Sequence, residues 1–451
     1  MPPLTPEEQV HLLRKVDWQL LPIITLMYLM SFLDRTSIGN AKIANMDKEL
    51  GLSPGQYNIA LSILFVSYCS FEIPSNIILK KLKPSVWLPS ICLAWGILTV
   101  CNGFVQNFGS LVVVRLLLGF MEAGLFPGVN FLLTVWYPRH AVVFRFTLFF
   151  SAASLSGAFG GLIARGLVAA DGAGGLSGWR WIFIIEGLIT IIVSFLGYFL
   201  IQDSPATSRF LSPEDSAALQ ALLKRDSLNE SEEFDWAEVR AAFCDWKVYL
   251  SGIICLGIAL PAFSFALFLP SIINSGLGFE AADSQLMTVP PYATAFIFTI
   301  GAGWYSDRKE SRGLPLLLFI VICMVGYILQ LTLSQHQQGV KYFATFLCAI
   351  GLFAAGINIP WLGNNLRGHT RRAVGGAVQI TTGQLGGVAA AYIYRAPNAP
   401  GYFLGHGMAL GFLTMAAVGT VLQLWLLRRE NSKLDKEEKE GVVKDSFRYT
   451  L

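Results

Sequence analysis

Twelve long apolar runs, separated by shorter polar segments, dominate the pattern of hydrophobic and polar positions along the chain. A helix that crosses a lipid bilayer needs roughly 20 predominantly apolar residues, so each run predicts one membrane-spanning helix. The predicted spans cover residues 18–38, 57–79, 87–106, 109–134, 145–168, 179–201, 246–272, 284–304, 313–334, 341–363, 372–394 and 402–427. The pattern therefore predicts an all-α integral membrane protein with twelve transmembrane helices.

The order of these runs predicts two bundles of six helices. The chain divides into an N-terminal tail, a first bundle, a polar central linker, a second bundle and a C-terminal tail: residues 1–17, 18–201, 202–245, 246–427 and 428–451. Basic turns after the second and eighth spans both close on a Leu-Pro pair, at Leu88-Pro89 and Leu314-Pro315. Because parallel six-helix repeats with a substrate site between them are a common plan of secondary transporters, we expect a pseudo-symmetric pair of bundles.

Basic residues near the ends of the spans predict the orientation of the chain. Lys and Arg in short loops are retained on the cytosolic side of a membrane. Alternate loops carry most of them: Lys80, Lys81, Lys83, Arg139, Arg145, Arg308, Lys309, Arg312, Arg367, Arg371 and Arg372. We therefore expect both tails and the central linker to lie in the cytosol.

Composition supports a membrane protein and argues against several other classes. Of the 451 positions, 54% are hydrophobic and only 14% are charged. The net charge of +3 is too small to predict nucleic-acid binding. The seven cysteines have no CxxC spacing, and the sequence contains no Walker loop, HExxH motif or nucleophile elbow. We therefore expect no catalytic residues, no bound metal, no cofactor and no obligate protein partner.

Charged residues in the interior of the predicted spans lie almost entirely in the first bundle. Such residues are costly in hydrocarbon and are commonly paired or functional. They are Asp34, Arg35, Glu72, Arg115, Glu122, Arg165 and Glu186. Arg115 and Glu122 are seven residues apart, so they share a helix face at roughly 10 Å separation. With Arg35 as the opposing group, we expect two arginines to bind a carboxylate through charge-assisted hydrogen bonds.

The carboxyl groups beside these arginines suit the coupling of protons to an anion. Asp34 precedes Arg35, and Glu122 shares its helix with Arg115. A buried carboxyl group changes its protonation when a substrate anion competes for the neighbouring arginine. We expect Asp34 and Arg35 both to face a cavity.

Several motifs carry a resemblance to a known family. The segment GWYSDRKESRG at 303–313 resembles the basic loop motif of the major facilitator superfamily. Within that superfamily, the chain is similar to the anion:cation symporter family and its fungal allantoate, nicotinate and pantothenate permeases. The segments that carry this second resemblance are FLDRTSIGNA (32–41), YCSFEIPSNIILKK (68–81), RLLLGFMEAGLFPG (115–128), GWRWIFIIEG (178–187) and NNLRGHTRRA (364–373).

The resemblance implies a major facilitator fold, with substrate binding by Arg35 and Arg115 and proton coupling by Asp34 and Glu122. Tyr68 corresponds to the family's cavity tyrosine. The pair Asp307-Arg308 lies in the loop motif, which implies a role in conformational gating. From the second bundle we expect the uncharged residues Asn358 and Gln384 to reach the substrate, although such amides also bind helices to one another.

Structural roles are the alternative for each of these residues. Arg35 could anchor a helix end, and Arg115 with Glu122 could be a pair that only bridges helices. For Glu72, Glu186 and Arg165 we favour packing or anchoring roles. For Phe263, Phe265 and Phe268 on the seventh span, we favour contact with lipid over contact with substrate.

The resulting hypothesis is proton-coupled uptake of a small organic anion, such as a carboxylate-bearing vitamin or ureide, across a plasma membrane by alternating access. The partners that it requires are the anion, protons and the lipid bilayer. In the fifth span, Ser156-Gly157 replaces the Gly-Pro pair of facilitator antiporters, which favours symport. Two alternatives stay open: export of a secondary metabolite, and a nutrient sensor that binds without transport.

Overall fold

The computed structural model describes residues 5–227, 236–309, 311–334, 336–440 and 448–451. Within these ranges the secondary structure consists of α-helices with short 3-10 and π-helical turns, and it contains no strand. Parts of both predicted tails and of the linker lie outside the described residues.

Twelve long helical segments, numbered α1 to α12, follow the twelve predicted spans in order. They are α1, Pro6–Ile43; α2, Pro54–Lys81; α3, Pro84–Asn102; α4, Phe108–Glu122 followed by Leu125–Trp136; α5, Arg139–Val168; α6, Gly178–Leu200; α7, Trp246–Ser271; α8, Val289–Arg308; α9, Gly313–Thr332; α10, Gln338–Ala354 followed by Asn358–Asn364; α11, His369–Ile393; and α12, Phe403–Lys439. Shorter helices lie at Met46–Glu49, Ala173–Gly175, Pro205–Thr207, Pro213–Ser227, Trp236–Cys244, Ile272–Gly276, Ala281–Leu286, Ala355–Ile357 and Ala396–Asn398.

Local sequence signals set where the first two helices begin. Thr5 and Glu8 form a reciprocal capping box at the start of α1, and Ser53 and Gln56 do the same for α2. A proline follows each cap, where its fixed backbone suits the first helical turn. Because of its cap, α1 begins at Pro6, inside the segment that the sequence predicted as a tail.

Among the described residues, nine helical segments are long and apolar enough to cross a membrane by length and composition alone. The segments α2, α10 and α11 are not among these nine. The 3-10 turn Ala355–Ile357 interrupts α10, and α11 carries polar residues such as Gln379 and Gln384 in its middle. All three line the cavity described below. They therefore have polar neighbours, which a helix surrounded only by lipid would lack.

Helix packing relates the two bundles by a pseudo-twofold axis. In the first bundle α1 packs on α5 and α6, α3 packs on α6, and α2 packs on α4. In the second bundle α7 packs on α11 and α12, α9 on α12, and α8 on α10, which is the same pattern shifted by six helices. Between the bundles, α5 meets α8 and α2 meets α11, and the same shift exchanges these two contacts.

The bundles are tightly joined at the end of the molecule where α1 and α7 end, which we call the closed end. A Cβ atom at Gly39 would lie 2.5 Å from the carbonyl oxygen of Leu267 on α7, and one at Gly161 would collide with the carbonyl oxygen of Gln285. Only glycine permits such approach between helices. Nearby, the hydroxyl groups of Ser62 and Tyr392 share a hydrogen bond of 3.0 Å between α2 and α11.

Two helices of the central linker contact different bundles at the opposite end. On helix Pro213–Ser227, Asp215 pairs with Lys15 of α1 at 2.7 Å, and the hydrogen bond from Lys15 lowers the pKa of Asp215. On helix Trp236–Cys244, the Glu238 carboxylate accepts hydrogen bonds from the backbone N–H groups of Thr370 and Arg371. A carboxylate at a helix N-terminus is favourable, so Glu238 stabilises the start of α11.

Candidate functional site

A cavity lies between the two bundles and extends from Arg35 away from the closed end. It encloses about 930 Å³ of empty space, including the part open to solvent. Its walls come from α1, α2, α4 and α5 on one side and from α7, α10 and α11 on the other. The residues predicted from the sequence that line it are Arg35, Tyr68, Glu122, Asn358 and Gln384. The fold therefore gathers five of the seven predicted substrate and proton residues around one space.

An ion pair between Arg35 and Glu122 forms the charged part of the cavity. The Arg35 Nη2 and Nε atoms donate to Oε2 of Glu122 at 2.6 and 3.2 Å. Both residues are buried, with 5% and 1% of their surfaces exposed. The second oxygen, Oε1, accepts no hydrogen bond from a protein group. A buried ion pair with an unused acceptor is costly to desolvate and is strongly stabilised only while both partners stay together.

Three aromatic rings surround the Arg35 guanidinium. Its central carbon lies 5.2 Å from the ring centroids of Phe32 and Tyr68 and 5.8 Å from that of Phe65. Cations are attracted to aromatic ring faces at these distances, and the attraction strengthens when water is excluded. The rings therefore hold the guanidinium in place while leaving its hydrogen-bonding edge to Glu122.

Further aromatic side chains form the remaining walls. Tyr28, Phe126, Phe150 and Phe263 line the cavity together with Phe32. Phe263 also packs edge to face on Phe65, with centroids 4.8 Å apart, and so connects α7 with α2. The sequence-based preference for lipid contact at Phe263 was therefore wrong, because residues on one helix could not show which of its faces meets the opposite bundle.

The second bundle contributes amide side chains. The Asn358 Nδ2 atom donates to the backbone oxygen of Ser251 at 3.3 Å, which fixes the orientation of the side chain. The Oδ1 atom of Asn358 and the Oε1 atom of Gln384 are buried and accept no hydrogen bond. Buried amide oxygens normally have a donor. These two acceptors lie on the cavity wall opposite Arg35 and are suited to a ligand that carries N–H or O–H groups.

Asp34 and Arg115 lie behind the cavity wall, inside the first bundle. Asp34 Oδ2 accepts hydrogen bonds from Thr99 at 3.2 Å and from Thr190 at 3.5 Å. Successive residues of a helix point about 100° apart, so Asp34 and Arg35 do not share a direction. Arg115 is 2% exposed, its Nε and Nη2 atoms have no hydrogen-bond partner, and its guanidinium carbon lies 6.0 Å from the ring centroid of Phe183. The expected convergence of two arginines on one anion is therefore absent.

Arg115 is not part of the wall because the cavity does not extend far enough towards the closed end. Arg115 and Glu122 share a face of α4, as the spacing predicted, but only Glu122 reaches the level of the cavity. Arg115 is nearer to the closed end, where the helices of the first bundle enclose it together with Glu186. Neither carboxylate oxygen of Glu186 accepts a hydrogen bond.

Glu72 connects the two bundles beside the cavity. Its Oε2 atom accepts a hydrogen bond of 3.1 Å from the hydroxyl group of Thr381 on α11. Glu72 follows Tyr68 by one turn of α2, and Thr381 precedes Gln384 by nearly one turn of α11. The sequence analysis favoured a packing role for Glu72. The spacing from Tyr68 was the available signal that it lies on the cavity side of its helix.

The sequence of this chain is similar to those of known membrane transporters. A sequence model of the Major Facilitator Superfamily matches residues 24–391. The chain belongs to this superfamily. It is 39% identical to an uncharacterized transporter of Schizosaccharomyces pombe over 96% of this chain and 86% of that protein. It is 34% identical to a high-affinity nicotinic acid transporter of Saccharomyces cerevisiae over 94% of this chain and 79% of that protein.

A solved structure shares the fold. It is a bacterial homologue of the human lysosomal transporter Spinster in an inward-facing, unoccupied conformation, with a TM-score of 0.65 and 15% identity over 89% of this chain and 95% of that chain. The resemblance to major facilitators and the predicted all-α fold with two pseudo-symmetric bundles are thereby confirmed. The protein is a multi-pass membrane transporter and not an enzyme.

The described residues of this transporter's loop motif are not part of the cavity lining. Arg308 ends α8 and is exposed, with its guanidinium carbon 5.3 Å from the ring of Trp304. The side chain of Asp307 lies outside the described part of the structure. A gating role for Asp307 and Arg308 stays a prediction. No group of three or more His, Cys, Asp or Glu side chains in the described ranges is placed to hold a metal ion.

Proposed function

We propose that this transporter carries a small organic anion with one carboxylate and a flat, ring-bearing body, and that it couples uptake to protons. The observation that carries the proposal is the Arg35–Glu122 ion pair, which lies between aromatic walls in the cavity between the bundles. Substrate sites of such transporters lie near the membrane midplane at the interface of the two repeats.

The charge of the cavity favours a single carboxylate. Arg35 is the one Lys or Arg among the described residues that line the cavity. A guanidinium can bind a carboxylate through two parallel hydrogen bonds, and the Nε and Nη2 atoms of Arg35 that could make them both donate to one oxygen of Glu122. A substrate with two or more carboxylates would leave a negative charge in a largely apolar space.

Competition for Arg35 supplies the coupling to protons. When the substrate carboxylate takes the guanidinium, Glu122 loses its cation in a buried place. Leaving a buried charge unpaired is strongly destabilising, so Glu122 is expected to take up a proton as the anion binds. Release of the anion then restores the pair and frees the proton. One proton per anion follows from this exchange.

Asp34 is proposed to act as a second proton site, behind the wall, and Arg115 to balance its charge. Both are buried in the first bundle next to Arg35 and Glu122, without lining the cavity. Tyr68 is proposed to hold the substrate ring against the guanidinium, since its own ring lies 5.2 Å from Arg35.

The body of the substrate is inferred from the walls. Rings of Tyr28, Phe32, Phe126 and Phe263 favour a flat apolar body, because aromatic pairs stack or meet edge to face. The free oxygens of Asn358 and Gln384 favour N–H groups at the other end of that body. A nitrogen-bearing ring carboxylate meets these conditions, and the name of the Saccharomyces cerevisiae relative supports the same class.

The direction and location of transport are proposed from the orientation rule. We place the transporter in the plasma membrane, with both tails and the linker in the cytosol. In this orientation the closed end faces the outside of the cell. The present conformation is then open towards the cytosol, and rocking of residues 18–201 against residues 246–427 exposes the cavity outwards.

Uptake of labelled anions tests the proposal. Cells that express this chain are compared with cells that carry empty vector, with nicotinate, pantothenate, allantoate and an aliphatic dicarboxylate as labelled compounds at external pH 5 and pH 7. We expect uptake of a ring-bearing monocarboxylate that is faster at pH 5. Uptake of the dicarboxylate alone, or exclusively outward flux, would contradict the proposal.

A further inference from the structure

Residues 448–451, here called the tail segment, lie against the second bundle at the end opposite the closed end. Four residues hold the segment and together form what we call the tail seat. They are Arg312 just before α9, Trp361 and Asn365 at the end of α10, and Asn431 on α12. Trp361 and Asn365 are almost completely buried, with 0% and 1% of their surfaces exposed.

Two asparagine side chains each bind both backbone polar groups of one residue of the tail segment. Asn431 donates from Nδ2 to the Tyr449 oxygen at 2.9 Å and accepts from the Tyr449 N–H at 2.8 Å. Asn365 makes the same pair with Thr450, at 3.0 and 2.8 Å. Each amide therefore satisfies both the donor and the acceptor of one residue, as a neighbouring β-strand would.

Two more hydrogen bonds complete the seat. The indole N–H of Trp361 donates to the Thr450 oxygen at 2.9 Å, and the backbone N–H of Arg312 donates to the Leu451 oxygen at 2.6 Å. All six bonds go to the backbone of the tail segment. Its side chains add apolar contact, since Tyr449 and Leu451 pack on the main hydrophobic core.

Charged groups fix the two flanks of the segment. The ammonium group of Lys247 lies 5.0 Å from the ring centroid of Tyr449. Arg448 pairs with Asp435 at 2.7 Å and also with Glu438, both on α12. The seat thus fits an extended peptide with a basic residue, then an aromatic ring, and an apolar side chain two residues after the ring.

The seat connects the tail segment to the cavity through the second part of α10. The 3-10 turn Ala355–Ile357 separates the helix Asn358–Asn364 from the first part of α10. That short helix carries Asn358 on the cavity wall and Trp361 in the seat, one turn apart. Arg312 and Asn431 belong to the neighbouring segments, so a bound tail joins the short helix to α9 and α12.

We propose that the tail seat is an intramolecular peptide-binding site and that the tail segment is a latch. Binding of the segment holds the helix Asn358–Asn364 against α9 and α12, on the side away from the first bundle. This stabilises the conformation in which the cavity is open away from the closed end. Undocking of the segment frees the short helix to move towards the first bundle, and the population of the open conformation falls.

Hydrogen exchange tests binding of the segment, and it needs no substrate. In the purified full-length protein, the peptide that contains residues 448–451 should exchange about tenfold more slowly than the same free peptide. Asn431→Leu should remove about half of this protection, because it deletes the acceptor of the Tyr449 N–H, one of the two tail N–H groups that the asparagine side chains bind. Exchange of the wild-type segment at the rate of the free peptide would overturn the proposal.

Alkylation of Cys255 tests the effect on conformation. Cys255 lines the cavity and is a free thiol, so its reaction with a maleimide, followed by mass spectrometry, reports how often the cavity is open. The paired change Tyr449→Pro and Thr450→Pro deletes two N–H donors without altering any helix. We expect Cys255 to react about twofold or more slowly in this variant, as the open population falls.

Glu437→Ala is the control, because Glu437 is exposed on α12, beside the residues that bind Arg448, and is not part of the tail seat. It should react at nearly the wild-type rate. Unchanged reactivity in the double-proline variant, together with retained protection in Asn431→Leu, would overturn the latch. Neither measurement depends on the transported compound, so a failure here is separate from a failure of the proposed function.

Discussion

Arg35 on α1 donates two hydrogen bonds to a single oxygen of Glu122 on α4, and the other oxygen of Glu122 remains without a donor. The pair therefore uses the nitrogen atoms that a substrate carboxylate would need, in a cavity with no second cation among the described lining residues. In the mechanism that we propose, substrate binding and loss of the Glu122 partner are one event. Four predictions follow from this relationship and from the way the two bundles meet.

Arg35→Lys should abolish uptake. A lysine keeps the positive charge but lacks the planar fork, and its strongly hydrated ammonium group fits poorly among the rings of Phe32 and Tyr68. We expect the initial rate of uptake to fall by about a hundredfold, corresponding to roughly 2.7 kcal/mol. Surface labelling should show normal delivery to the membrane. Uptake at the wild-type rate would mean that Arg35 does not bind the anion.

Glu122→Gln should make uptake independent of pH. Glutamine resembles the protonated carboxyl group, so no proton is taken up when the anion displaces it. Uptake by the wild type should increase as the external pH falls from 7 to 5, whereas the variant should show a flat profile and retain exchange of labelled for unlabelled anion. Glu72→Gln serves as the control, since Glu72 does not contact Arg35, and it should keep the acid stimulation. An acid-stimulated profile in Glu122→Gln would remove Glu122 from the coupling mechanism.

Thr381→Val should destabilise the present conformation. The change deletes the hydroxyl group that donates to Glu72 across the two bundles and leaves a buried carboxylate oxygen without that donor. Such a loss costs about 1–3 kcal/mol. Alkylation of Cys255 should become slower as the open population falls. Thr382→Val is the matched control, because the Thr382 hydroxyl group bonds to the backbone of Val378 on its own helix. Equal rates in the two variants would show that the contact with Glu72 does not bias the conformation.

Gly39→Ala should prevent the closed end from closing. The added Cβ atom would lie 2.5 Å from the backbone oxygen of Leu267, and that backbone cannot move without shifting α7. Overpacking of this kind costs about 1–3 kcal/mol. We expect uptake to fall at least about fivefold, with the folded protein still present in the membrane. Gly166→Ala, at a position with open space around it, should leave uptake unchanged. Normal uptake in Gly39→Ala would show that the two helices need not approach this closely.

Much of the architecture was predictable from local sequence. Twelve apolar runs gave twelve helical segments in the same order, because hydropathy over about 20 residues decides whether a helix enters a membrane. The ends of the helices were less predictable: α1 begins at Pro6 because Thr5 and Glu8 form a capping box, and this short polar signal lies before the apolar run. The motifs were sufficient to indicate the superfamily.

The sequence predicted which residues belong to the candidate site better than it predicted how they are arranged. Costly charges within apolar runs singled out Arg35 and Glu122, and the structure places both on the wall of one cavity. Asp34 and Arg115 carried the same signal but lie behind the wall, because the depth and direction of a side chain depend on which helices pack around it.

Hydropathy and motifs were enough to predict a helical membrane transporter whose intramembrane charges lie mostly in the first bundle, because these properties depend on residues within one span. The pairing of Arg35 with Glu122, of Glu72 with Thr381 and of Thr450 with Asn365 became visible only in the folded chain. The partners in these contacts are 87, 309 and 85 residues apart. Contacts at such separations arise from the packing of whole bundles, and no local pattern encodes them.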